Sequence, residues 1–142
     1  MDAKVIISQL ADSARTAGRT LSTSTADQRK AALNVIADAI ETRSAEILAA
    51  NEKDMEAGRN AGLNSSLLDR LLLTPDRIKG IAGGARQVSQ LPDPLGNTLR
   101  KSTLPNGIEL EQISVPFGVI GMVYEARPNV TVDAAVILLM SG

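Results

Sequence analysis

The sequence predicts an α/β fold: N-terminal helices, a β-hairpin arm, then the first strand and helix of a larger sheet. Three observations carry that prediction. Apolar residues recur at helical spacing up to about residue 90, and the six prolines are confined to Pro75, Pro92, Pro94, Pro105, Pro116 and Pro128. A Pro105-Asn106-Gly107 turn signal then separates two short segments. Finally, an unbroken apolar run from Val119 to Tyr124 leads through a polar turn into another helical stripe. The 142 residues are one domain's worth. The expected divisions are a helical part at 1–94, the hairpin at 95–114 and a strand-turn-helix at 115–142.

Ile7, Leu10, Ala11, Ala14 and Ala17 share one face of a first helix, with Gly18 as its expected stop. Thr25 and Gln28 have capping-box spacing, and Leu33, Ile36, Ala37 and Ile40 form the stripe that follows. Ile47, Leu48 and Met55 continue a helical pattern towards Gly58 or Gly62. Asn64 can cap a short helix carrying Leu67, Leu68 and Leu71. Thr74-Pro75 pairs an N-cap with proline at the first helical position, before Ile78, Ile81, Ala82, Ala85 and Val88. The Arg and Glu residues of these helices read as a solvated face. Leu91 to Gly96 reads as a loop. Beyond it, Leu99–Leu104 and Ile108–Ile113 flank the turn as two strands. Such a hairpin is marginal alone, so it either lies on its own domain or pairs with another subunit.

Composition excludes much chemistry. There is no Cys, His or Trp. Disulfides, thiolate nucleophiles, Ser-His couples and zinc thiolate sites are therefore ruled out within these residues, and no metal site is expected. The net charge of -1 offers no footprint for nucleic acid. No basic region precedes a long apolar stretch at the N-terminus, and the longest apolar run, Ala134–Met140, is far short of a bilayer span of about 20 residues. A cytoplasmic protein away from membranes is the expectation.

A strand without alternation is expected to be buried on both faces of a parallel sheet, and its neighbour must be reached by a crossover helix. The helix of Val132, Ala135, Val136 and Leu139 is present, with Asn129 as its expected cap; Gly142 comes before any return strand. The sequence thus reads as part of a larger α/β protein. Ligands of such sheets bind at strand ends beside the next helix, which points to Tyr124–Asn129. Gly118 and Gly121 lack the third glycine and the position of a dinucleotide fingerprint, and are expected to permit close packing. Arg127 is either an exposed turn residue or a group that orients an anion. Asn129 is either a cap or an oxyanion-stabilising amide.

The run Val115-Pro-Phe-Gly-Val-Ile-Gly-Met-Val-Tyr-Glu-Ala-Arg-Pro-Asn-Val-Thr-Val-Asp-Ala-Ala135 closely resembles the γ-glutamyl phosphate reductases, the glutamate-5-semialdehyde dehydrogenases of the aldehyde dehydrogenase superfamily. Ile47–Asn51, Leu67–Leu71 and Arg86–Pro94 look similar too. The resemblance is to the N-terminal part of the family. It implies NADPH-dependent reduction of L-glutamyl 5-phosphate to L-glutamate 5-semialdehyde, with release of phosphate, in proline biosynthesis. It also implies a catalytic Cys in a separate domain, so that these residues alone are inactive, and a homo-oligomer formed through the hairpin. A non-catalytic interaction fragment is the alternative. By the same resemblance Val123, Tyr124, Glu125, Ala126 and Arg127 border the nicotinamide end of NADPH. The oxyanion position falls on Asn129 by chemistry, or on Arg127 by a gapless alignment on Pro116, Gly118 and Gly121. One departure is that Leu139-Met140-Ser141-Gly142 stands where the family reads Leu-Lys-Ser-Gly-Asn-Ala.

Overall fold

A computed structural model describes residues 2–125 and 127–142. The elements are α1 (Ala3–Leu21), α2 (Ala26–Thr42), α3 (Ser44–Asn60), α4 (Ser65–Leu71), α5 (Pro75–Ser89), β1 (Thr98–Thr103), β2 (Glu109–Ile113) and α6 (Pro128–Met140). The chain is mostly helical, with one antiparallel hairpin. Among the described residues no helix is long and apolar enough to cross a membrane.

Local signals place most helix ends. The Gln28 amide donates to Thr25 Oγ1 at 3.2 Å and the Thr25 amide to Gln28 Oε1 at 2.9 Å, completing the predicted capping box. Asn64 Oδ1 accepts from Leu67 N–H, and Thr74 Oγ1 from Arg77 N–H, with Pro75 opening α5. At the end of α3, Gly62 takes φ +74°; its N–H donates to Arg59 O, and Leu63 N–H donates to Gly58 O. That pair of bonds satisfies two terminal carbonyls and needs a residue tolerant of positive φ. In the hairpin, Gly107 N–H donates to Leu104 O at 2.8 Å and Gly107 has φ +86°, as the turn chemistry predicts.

The core lies where α2, α5 and α6 meet. Leu33 and Ala37, Ala82 and Ala85, and Val136 and Met140 are buried together, with Ile36, Ile40, Val88, Val132 and Leu139 around them. Alanines on α2 and α5 bring those helices close, and Arg86 of α5 reaches both Asp38 and Glu41 of α2 at 2.7 Å. That guanidinium lowers the Glu41 pKa, mainly through its hydrogen bond.

Five expectations are corrected. The helix α1 runs through Gly18 to Leu21. One helical glycine costs only about 1 kcal/mol, and the stop comes instead from Ser22, Thr23 and Ser24, whose hydroxyls donate to the carbonyls of Arg19, Thr20 and Leu21. The predicted strand Val119–Tyr124 is unpaired and exposed, because no other described segment hydrogen-bonds alongside it. The glycines Gly118 and Gly121 have nothing within 4 Å of an added Cβ, so close packing is not their role here; Gly118 has φ +98°. The cap of α6 is Arg127 rather than Asn129, since Pro128 opens the helix.

The fifth correction concerns Arg29, which is not on a solvated face. It is 2% exposed, and its Nη2 lies 2.7 and 2.6 Å from the two oxygens of Asp93. Its Nη1 donates to Ser24 O. The pair ties α2 to the loop ahead of the hairpin across 64 residues. Asp93 has a lowered pKa, first through the Leu95 amide and then through Arg29, against the opposing effect of burial. Asp93→Ala should lose about 3 kcal/mol, since it leaves a buried guanidinium unpaired. Because the native pKa lies below the unfolded value of about 3.9, this stabilisation is full above that value. It drains away as pH falls through the native pKa. Urea melts of wild type and Asp93→Ala at neutral and acidic pH check both points: the difference must shrink on acidification.

Candidate functional site

The turn before α6 is where the predicted site residues gather. Pro128 suits the first helical position because no N–H is needed there. Arg127 is extended at φ -120°, ψ 112°, and its side chain does not cap the helix. Its amide instead donates to Glu125 O at 2.7 Å, and its Nε donates to Glu125 Oε2 at 3.1 Å. The Tyr124 hydroxyl and Thr131 Oγ1, 2.6 Å apart, fasten the turn to the first turns of α6. Val123 is fully exposed. Asn129 is exposed, and its Nδ2 donates to Asp133 Oδ2 at 2.9 Å along the helix. Ala126 lies outside the described residues.

The structure adds neighbours from α4 and α5. Arg70 Nη1 is 3.6 Å from Glu125 Oε2, so Glu125 faces a guanidinium on either side. A cavity of about 410 Å³ opens between these helices, lined by Asp69, Arg70, Arg77, Gly80, Arg127 and Asn129 among others. Arg77 is committed to the scaffold: it donates to the carbonyls of Asp69 and Leu72 and pairs with Asp69 Oδ1 at 2.8 Å. Those bonds satisfy the C-terminal end of α4. The segment after α4 is fixed in turn by buried Asn51 of α3, whose Nδ2 donates to Leu71 O at 2.8 Å and whose Oδ1 accepts from Leu73 N–H at 2.7 Å.

The structure thus brings Glu125, Arg127 and Asn129 together with Arg70, which sequence reasoning missed. Arg70 stands in a short amphipathic helix and has no spacing relation to the turn. Asn51 was missed likewise: a buried Asn that bonds a distant loop leaves no periodic trace. Chemically, Arg70 and Arg127 share the Glu125 carboxylate, Arg77 is paired with Asp69, and Asp133 balances the remaining charge at the cavity. Guanidinium groups in this state suit phosphate and carboxylate.

Helices, one antiparallel hairpin and a turn carrying Arg127 at the start of α6 make up the described residues. Comparison with protein-family models gives no match. The γ-glutamyl phosphate reductase of Geobacillus thermodenitrificans is 53% identical over 132 residues, which is 93% of this chain and 32% of the relative. That of Thermobifida fusca is 48% identical over 136 residues, covering 96% of this chain and 32% of the relative. The crystal structure of the Thermotoga maritima γ-glutamyl phosphate reductase superposes with a TM-score of 0.87 at 36% identity, over 92% of this chain and 32% of that one. The chain spans about a third of the length of the curated relatives it matches, and it corresponds to the N-terminal part of γ-glutamyl phosphate reductase.

Replacing Asn51 should strip two half-buried backbone groups of their partners. Asn51→Ala is expected to cost about 2–4 kcal/mol, at about 1–3 kcal/mol for each orphaned group. Chemical denaturation gives the loss, and faster amide exchange at Leu73 shows that it is local. A loss below about 1 kcal/mol would mean that water replaces both bonds.

Proposed function

We propose that this chain forms the N-terminal part of a reductase that converts L-glutamyl 5-phosphate to L-glutamate 5-semialdehyde with NADPH, releasing phosphate, in proline biosynthesis. The observation that carries the reading is the 53% identity to a named γ-glutamyl phosphate reductase across nearly the whole chain. When bound, NADPH supplies hydride. The residues at the turn fit its nicotinamide end: Val123 and Tyr124 offer exposed apolar and aromatic surface to a flat ring, and Arg127 offers a cation. Glu125 and Ala126 complete that border in this reading. Asn129 serves as the oxyanion donor, its amide turning from Asp133 towards substrate; Arg127 is the other group at that position.

The sequence contains no Cys, so the thioester step belongs to residues beyond these 142, and the chain alone is inactive. The division into a helical part at 1–94, an arm at 95–114 and a strand-turn-helix at 115–142 belongs to the same reading. So does a cytoplasmic setting. The arm serves assembly between copies. Leu99, Leu110 and Ile113 are exposed on it, and each strand pairs only with the other, leaving one edge open.

The test is a complementation assay. The chain is mixed with the C-terminal two thirds of a relative's reductase, and NADPH oxidation is followed with L-glutamyl 5-phosphate. The mixture should turn over and release phosphate, while the chain alone stays at background. Turnover by the chain alone would overturn its inactivity, and a folded complex without turnover would overturn the assignment. Light scattering on the chain should show association that Leu99→Lys and Leu110→Lys weaken; a monomer at every concentration removes the role of the arm.

A further inference from the structure

We propose that Arg70 of α4 and Arg127 before α6 form one oxyanion grip across the cavity between them, which takes the phosphate or the carboxylate of a small acidic substrate. The inference deepens the reductase reading by naming how this part would hold an acyl phosphate, and rests on that reading for the substrate's identity only.

Three features support the grip. The two guanidiniums come from elements far apart in sequence and converge on Glu125, Arg127 at 3.1 Å and Arg70 at 3.6 Å. Among the described residues, Arg70 makes no side-chain hydrogen bond, and Arg127 uses only Nε, so their Nη groups remain as donors. The other charges lining the cavity are Arg77, Asp69 and Asp133. Arg77 is taken up by Asp69 and the end of α4, and Asp133 accepts from Asn129. An arriving anion therefore meets two cations and two carboxylates, Glu125 and Asp133, so open donors on the guanidiniums rather than a surplus of charge would hold it. The volume of about 410 Å³ suits a small molecule. Glu125 keeps both guanidiniums near the cavity without using their remaining donors, and a bidentate partner would then complete them.

Gly80 supplies a way to close the site without touching charge. It lines the cavity from α5, and a Cβ added there meets nothing within 4 Å. Gly80→Leu should fill the space from within a helix that tolerates it.

The experiment is an NMR titration of the isotope-labelled chain at constant ionic strength, with inorganic phosphate in one arm and L-glutamate in the other. The Arg70 and Arg127 Nε–H signals should shift saturably in at least one arm, while Arg15 and Arg59 stay still. Arg70→Gln and Arg127→Gln should each weaken binding about tenfold or more, the loss expected for a charge-assisted bond. Arg70→Lys should recover part of it, and Gly80→Leu should abolish it in a chain whose spectrum remains dispersed. Saturation by phosphate alone assigns the grip to a phosphate group, and saturation by glutamate alone assigns it to a carboxylate. No saturable shift in either arm, equal shifts at Arg59, or binding unchanged by Arg70→Gln would overturn the proposal. Failure of the complementation assay would leave these shifts untouched, so the two readings fail separately.

Discussion

Val136 and Met140 pack into the seam between α2 and α5, and that contact decides where the turn before α6 can be. A helix of thirteen residues pinned near its C-terminal end projects its N-terminus to one place only. Pro128 then makes the start abrupt, because its ring fixes φ and rejects a helical residue before it. Arg127 is consequently extended, and its guanidinium leaves the helix axis towards α4. Apolar packing in the core thus reaches the chemistry through a rigid element. Shortening Val136 would move the turn as well as open a cavity.

Polar bonds set the other wall of the cavity. The helix α4 has seven residues and no buried side chain, too little to hold itself in water. It stays in place because Asn51 bonds both Leu71 O and Leu73 N–H, and because Arg77 binds its last carbonyls. Each of these groups would be costly to leave unmatched, so each restrains the segment more than an apolar contact of similar area would. Arg29 does the same for the loop before the hairpin, with Ser24 O and Asp93 as partners.

What could be read from the sequence follows from the range of each interaction. The Thr25–Gln28 box, the Asn64 and Thr74 caps and the Gly107 turn all close within three or four residues, and each appears as expected. Arg29–Asp93, Asn51–Leu73 and Arg70–Glu125 close over 64, 22 and 55 residues and leave no spacing to find. Gly18 failed as a stop because its cost is small beside the hydroxyls that end α1. The site was legible only in part: composition and position marked Tyr124–Asn129, but not the helix that faces it. Asn129 was placed as a cap because its type suits one, whereas Pro128, one residue earlier, already decided the boundary.

The segment from Val115 to Tyr124 shows how the two halves of the site differ. Phe117, Val119, Ile120, Met122 and Val123 are all exposed, and so are Ile7 and Leu10 of α1. Apolar surface of this extent marks a contact face rather than a finished exterior. The segment's backbone groups, unpaired among the described residues, are open to a neighbouring strand. What Val123 and Tyr124 can contact therefore depends on what lies against this segment. The two guanidiniums depend on it in part: Arg70 is held through α3 and α4 and Arg127 through α6 and the core, but both reach Glu125, the residue after Tyr124. Core packing and the bonds between α3 and α4 thus support the turn from one side, and the Val115–Tyr124 segment enters it from the other.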